Sequence, residues 1–155
     1  MESIGVIRTC FKEITNMPIQ PRGAADVQGN VIIKEKYMAG LKDLDGFSHI
    51  YLIYLFHKAQ RTELTVTPFL DTVERGVFAT RSPLRPNHIG LSIVEVVKIK
   101  GTEITVRGAD VLDETPLLDI KPYIKNFDGV SDSTSGWMKA DSEEVGHKRS
   151  DGRFK

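Results

Sequence analysis

The chain has 155 residues, enough for one domain that buries a real core without covalent staples. Hydrophobic residues make up 40% and charged residues 27%, ordinary for a soluble globular protein. Lys+Arg and Asp+Glu each number 21, so the zero net charge argues against a protein that coats nucleic acid through bulk electrostatics, while leaving room for a local basic patch.

In chain order, Ile4-Gly5-Val6-Ile7-Arg8 reads as the first strand. Acidic Met1-Glu2-Ser3 runs straight into it, which predicts no signal peptide. Cys10 is the only cysteine, so no intramolecular disulfide can form, and the expected setting is a reducing cytoplasm. Its place beside Phe11, after an apolar strand, predicts a small buried hydrophobe. Val31-Ile32-Ile33-Lys34 follows a Pro/Gly loop as a second strand. Tyr37, Met38, Leu41 and Leu44 share one helical face, and Asp45-Gly46 supplies a stop, which predicts one short helix. Residues 50–56 form the longest apolar run, of strand length and far short of the ~20 residues of a membrane helix.

Leu64-Thr65-Val66-Thr67, stopped by Pro68, and Gly76-Val77-Phe78-Ala79-Thr80 read as further strands. Residues 91–100 and 102–107 face each other across Lys100-Gly101 as a hairpin. Val94 and Val96 alternate with Leu91, Ile93, Val97 and Ile99, and apolar residues on both faces predict burial against a second copy or the tail. Closely spaced strands with one helix predict an all-β fold, mainly an antiparallel β-barrel, rather than βαβ units. The barrel domain is expected over residues 1–138. Residues 139–155 form a polar tail, rich in Ser, Asp, Glu and Lys, for which poor order is expected.

Neither a Rossmann fingerprint, a P-loop nor a G-x-S-x-G elbow is present. His49 and His57 would lie about 26 Å apart on a straight strand, so no metal set is expected. Three segments carry more polar and loop-forming chemistry than a plain barrel needs. Residues 78–90 contain Arg81, Arg85 and Asn87 in a loop stiffened by Pro83 and Pro86, which suits an anionic or zwitterionic ligand. A solvated connector is the other reading. Residues 110–123 place Asp110, Asp113, Glu114 and Asp119 in what reads as a turn, suited to an amine, a ribose diol or a sulfonium, or to simple turn capping. His57 ends an apolar strand as either a core residue or one at a pocket mouth.

Read together, G-V-F-A-T-R-S-x-x-R-P-N-x-I-G at residues 76–90, L-D-I-K-P-Y at 118–123, G-F-S-H-I at 46–50 and Phe56-His57 resemble the TrmO (TsaA-like) family, in order and over residues 4–137. The resemblance implies a dimeric antiparallel barrel that binds S-adenosylmethionine; no metal, membrane or DNA partner is expected. It implies methyl transfer to N6 of threonylcarbamoyladenosine beside the tRNA anticodon. Cofactor contacts are expected from Pro18, Ile19, Gln20, His57, Lys58, Arg81, Leu91, Asp113, Glu114, Thr115 and Pro116. Asp113 is the expected base and Arg81 the expected charge stabiliser. Arg22, Arg85, Lys121 and Lys125 are the expected phosphate contacts. Members commonly carry Gly where this chain has Glu114, which removes easy access to positive φ from that turn. Alternatives of other classes are a small-molecule methyltransferase on the same barrel and a non-catalytic barrel that binds S-adenosylmethionine.

Overall fold

A computed structural model describes residues 1–15, 17–19, 24–139 and 147–153. Its strands are β1 (Gly5–Arg8), β2 (Gln28–Ile33), β3 (His49–Leu55), β4 (Thr65–Val66), β5 (Arg75–Gly76), β6 (Ile89–Lys100), β7 (Glu103–Arg107) and β8 (Thr115–Pro122). Six of them close a barrel in the order β1-β2-β7-β6-β3-β8, and every pairing is antiparallel. Strands β4 and β5 form a small separate ribbon.

The period-2 pattern sets which side chains fill the barrel. Ile7, Val31, Ile33, Ile50, Leu52, Val94, Ile104, Val106 and Leu117 are buried in one cluster. The hairpin expected at Lys100-Gly101 joins β6 to β7, with Gly101 at φ +60°, a conformation that favours glycine.

Four expectations are corrected. The segment at Tyr37, Met38, Leu41 and Leu44 forms two 3-10 turns, Glu35–Leu41 and Leu44–Gly46, because Asp43 at φ 67° breaks the run before Asp45-Gly46 can end it. The α-helix among the described residues is instead α1 (Lys125–Asp128). Residues 76–80 leave the ribbon after Gly76 and turn into a 3-10 helix, Val77–Ala79. Residues 115–122, which read as turn, are the strand that closes the barrel, pairing with β1 and β3. Cys10 is exposed, because the chain leaves the barrel after β1.

Strand β6 alternates as expected up to a bulge. Val94 points into the core, while Leu91, Ile93 and Val97 stay 51%, 39% and 42% exposed. The β6–β7 register runs Val96↔Val106, then Lys98↔Thr105, so Val97 is the extra residue and Ile99 returns to the core side. Within the tail, residues 147–153 make defined contacts. Arg149 bridges to Pro18, the Ser150 N–H donates to the Met17 carbonyl at 2.8 Å, and Arg153 donates to the Pro68 carbonyl at 2.9 Å.

Candidate active site

One end of the barrel opens into a cleft of about 1070 Å³. Its walls come from the loop after β1, the end of β3, residues 78–85, the start of β6, the segment after β7, the start of β8 and the tail. Phe56, Phe69, Phe78 and Trp137 supply apolar area, while Lys58, Arg81 and Asp110 supply charge of both signs.

The loop over residues 78–90 is held by its own side chains. Thr80 Oγ1 donates to the Val77 carbonyl at 2.8 Å, and the Ser82 and Leu84 amides donate to the Thr80 and Ser82 hydroxyls. Arg85 Nη1 donates to the Thr80 carbonyl at 3.0 Å, and His88 Nδ1 lies 2.9 Å from the Pro83 carbonyl. Trp137, in the segment after α1, joins through a 2.8 Å bond from Nε1 to the Ala79 carbonyl, with the Arg75 guanidinium 5.5 Å from its ring. Most of this loop's polar chemistry builds the loop.

Of the residues expected to hold a cofactor, Pro18, Ile19, His57, Lys58, Arg81, Leu91 and Thr115 converge on the cleft. Gln20, and the expected phosphate contact Arg22, lie outside the described residues. Asp113, Glu114 and Pro116 are not among the residues lining the cleft. The Asp113 carboxylate instead accepts from the Thr9 amide at 3.0 Å, meets Arg8 Nε at 3.1 Å and pairs with Lys12. Burial raises its pKa, but the Lys12 hydrogen bond, the Thr9 amide and the Arg8 charge outweigh that and hold it below the usual carboxylate value. A carboxylate so committed is a weak base, and its contacts pin the turn rather than reach the cleft.

Glu114 takes φ 62°, a left-handed conformation that glycine adopts more readily, at a strain of roughly 1–2 kcal/mol. Its carboxylate meets Arg8 Nη1 at 3.3 Å. The turn thereby delivers Thr115, whose hydroxyl donates to the Leu112 carbonyl at 2.7 Å and lies 3.4 Å from His57 Nδ1. Burial, then the Lys58 charge, lowers the His57 pKa from its ordinary value.

The expected phosphate contacts are only partly disposed for that role. Arg85 is half-buried and spends donors on its own loop. Lys121 is ion-paired with Asp119 at 3.0 Å. Lys125 stands exposed on α1.

The sequence pattern did not single out Tyr54 and Ser92 as polar members of the site. Tyr54, 4% exposed, and Ser92, 2% exposed, both point inward from β3 and β6. Ser92 Oγ donates to Asp110 Oδ1 at 2.7 Å and lies 3.0 Å from the Tyr54 hydroxyl. With Asp110 ionised, the single Ser92 proton goes to its carboxylate and Tyr54 is left to donate to Ser92. Burial pushes the Asp110 pKa up to about 6 against the opposing effects of Ser92, its own backbone and the Arg81 charge. Burial, then the Asp110 charge, pushes the Tyr54 hydroxyl up as well. The signal available beforehand was that Tyr54 and Ser92 interrupt two otherwise apolar inward rows.

A closed antiparallel barrel with a cleft of mixed charge and aromatic lining at one end defines the class structurally. Residues 6–129 match the family TrmO_N, the tRNA-methyltransferase O N-terminal domain, and the chain belongs to the TrmO family. It is 46% identical over 151 residues to a "Probable S-adenosyl-L-methionine-binding protein" of Pyrococcus abyssi, covering 97% of this chain and 82% of that protein. It is 35% identical over 136 residues to the tRNA (adenine(37)-N6)-methyltransferase of Mus musculus, covering 82% of this chain and 31% of that one. The crystal structure of TrmO from Pseudomonas aeruginosa superposes with a TM-score of 0.74 at 36% identity, covering 88% of this chain and 61% of that chain. The chain thus spans most of its archaeal relative, three-fifths of the crystallised bacterial TrmO and a third of the mouse enzyme.

Proposed function

We propose that this chain binds S-adenosylmethionine in the cleft and transfers its methyl group to N6 of threonylcarbamoyladenosine beside the anticodon of tRNA. The carrying observation is the cleft itself, which joins aromatic walls to charges of both signs inside a barrel of the TrmO family. Its volume lies at the upper end for small-molecule sites, enough for a cofactor and a nucleobase together.

The residues present fit that cofactor. Phe56, Phe69 and Phe78 offer faces for an adenine, and Lys58 and Arg81 offer partners for a carboxylate. When bound, the cofactor supplies an electrophilic methyl group on a sulfonium. Pro18, Ile19, His57, Leu91 and Thr115 shape the walls that hold it and exclude water. In this reading Arg81, on the same cleft wall, stabilises negative charge on the urea oxygen of the acceptor. Asp113 and Glu114 act from behind, by fixing the turn that presents Thr115.

The protein works as a homodimer in this reading. Leu91, Ile93 and Val97 leave apolar area on the outer face of β6, and a second barrel would cover it. Lys125, with Arg22, contributes to the tRNA grip, and an anticodon loop presents unstacked bases without any duplex to open. Residence in the cytoplasm, where tRNA is modified, follows from that role.

The test supplies radiolabelled methyl donor with tRNA carrying threonylcarbamoyladenosine, with the unmodified transcript and with small amines. Labelling of the modified tRNA alone is the expected result. Equal labelling of both tRNAs removes the substrate specificity, and labelling of amines alone makes the chain a small-molecule methyltransferase. Binding of the cofactor without any transfer makes it a binding barrel, the property for which its archaeal relatives are named.

A further inference from the structure

Methyl transfer to an N–H acceptor releases a proton, and the proposed function above leaves that proton without a destination. Asp113 cannot receive it, because it faces Lys12, Arg8 and the Thr9 amide instead of the cleft. Asp110 lines the cleft, and Ser92 Oγ donates to its Oδ1 at 2.7 Å. When Asp110 is ionised, Ser92 donates to it, and the Tyr54 hydroxyl, 3.0 Å from Ser92 Oγ, is left to donate to Ser92. A proton on Oδ1 would force Ser92 to turn and leave the Tyr54–Ser92 bond to rearrange in a buried site.

We propose that Asp110 accepts the proton displaced from the acceptor nitrogen, and that Ser92 and Tyr54 are positioning residues that aim its carboxylate into the cleft. The inference rests on methyl transfer to an N–H acceptor as proposed above. The nitrogen lone pair forms the new N–C bond, the S–C electron pair returns to sulfur to leave a thioether, and the N–H proton passes to the Asp110 carboxylate and then to solvent. A nearby base matters here, because the lone pair of a urea-like nitrogen is delocalised and becomes available as its proton leaves. Among the described residues, the charged and titratable groups around Asp110 are Arg81 and Tyr54, with His57, Lys58 and Arg85 elsewhere on the same walls. The raised carboxyl stays mostly ionised at neutral pH, yet is a stronger base than an exposed aspartate.

The experiment compares wild type, Asp110→Asn and Ser92→Ala in three measurements. These are binding of S-adenosylhomocysteine by calorimetry, single-turnover methyl transfer to the modified tRNA across pH, and the Asp110 carboxyl titration by ¹³C NMR in the ligand-free protein. Asp110→Asn should lower the single-turnover rate by about 100-fold or more while changing S-adenosylhomocysteine affinity by less than about 3-fold. The wild-type carboxyl should titrate near 6, and Ser92→Ala should move both that titration and the acidic limb of the rate profile to higher pH. Ser92→Ala is read from a side chain that remains ionisable, so it keeps the test decisive if Asp110→Asn folds poorly. A rate for Asp110→Asn close to wild type overturns the proposal. So does a loss confined to S-adenosylhomocysteine binding, which would make Asp110 a cofactor ligand. Wild-type protein that does not methylate the modified tRNA removes the substrate reading instead, a result separate from either of these.

Discussion

The Tyr54 ring lies against Gly90 so closely that a Cβ built on Gly90 would fall 2.2 Å from the ring Cε2 and 2.5 Å from Cζ. Gly90 faces Tyr54 across the β3–β6 ladder, so this contact seats the buried phenol beside Ser92. Gly90→Ala should displace Tyr54 and lower stability by roughly 1–3 kcal/mol, the usual cost of overpacking a filled core. Urea denaturation measures the loss, and unchanged stability would show that the ring can move aside.

Asp110→Asn should make the protein more stable at neutral pH. The folded carboxyl is raised to about 6 from an ordinary value near 4, so ionising it counts against the fold. That penalty is absent below pH ~4, grows as pH rises toward the folded value, and is complete above pH ~7. The variant should therefore match wild type in acid and exceed it by roughly 1–3 kcal/mol at pH 7. Thermal melts at the two pH values check the difference.

Asp113 titrates with the opposite sign. Its lowered pKa contributes stability that is full above pH ~4 and is lost as pH falls through the folded value. Asp113→Ala should cost roughly 1–2 kcal/mol at pH 7 through the lost Thr9, Arg8 and Lys12 contacts. Chemical denaturation at pH 7 and in acid should show the gap to wild type closing as the solution is acidified.

Arg81→Ala should weaken S-adenosylmethionine binding by roughly 1–3 kcal/mol, the range for a hydrogen bond to a charged group. Calorimetry on protein stripped of ligand measures this. An unchanged affinity would place Arg81 with the acceptor and not with the cofactor.

Ile93→Asp should give a monomer where wild type gives a dimer. The side chain is 39% exposed on the outer face of β6, between Leu91 and the bulge at Val97. Light scattering at micromolar concentration reads the mass directly, and a monomeric wild type would leave that apolar face to some other cover.

The barrel was legible because its core obeys the alternation of half-buried strands. Ile104 and Val106 against Thr105 and Arg107 are enough to place β7 and its hairpin. Strand β8 was hidden because Asp119, Lys121, Pro116 and Pro122 interrupt the apolar pattern. Pro116 is tolerated at its start, and a register slip between Ile53 and Tyr54 shifts its pairing partners. In the site, the loop over residues 78–90 was legible as a unit, but Arg85 was not legible as its staple, since its carbonyl partners depend on how the loop closes. The carboxylates over residues 110–119 offered the same chemistry in sequence, and the family resemblance favoured Asp113 and Glu114 over Asp110. Only the fold separates Asp110 in the cleft from Asp113 beside Lys12 and Asp119 beside Lys121.

The pairing of Pro18 with Arg149, and of Met17 with Ser150, joins points 131 and 133 residues apart. The last barrel strand ends at Pro122, so the barrel can close without residues 147–153. The cleft gains the wall that Ser150 provides only once the chain as far as that residue is in place. A chain cut short before Arg149 would thus hold a folded β-core with a breached cleft, a product that stability assays would pass and ligand binding would expose.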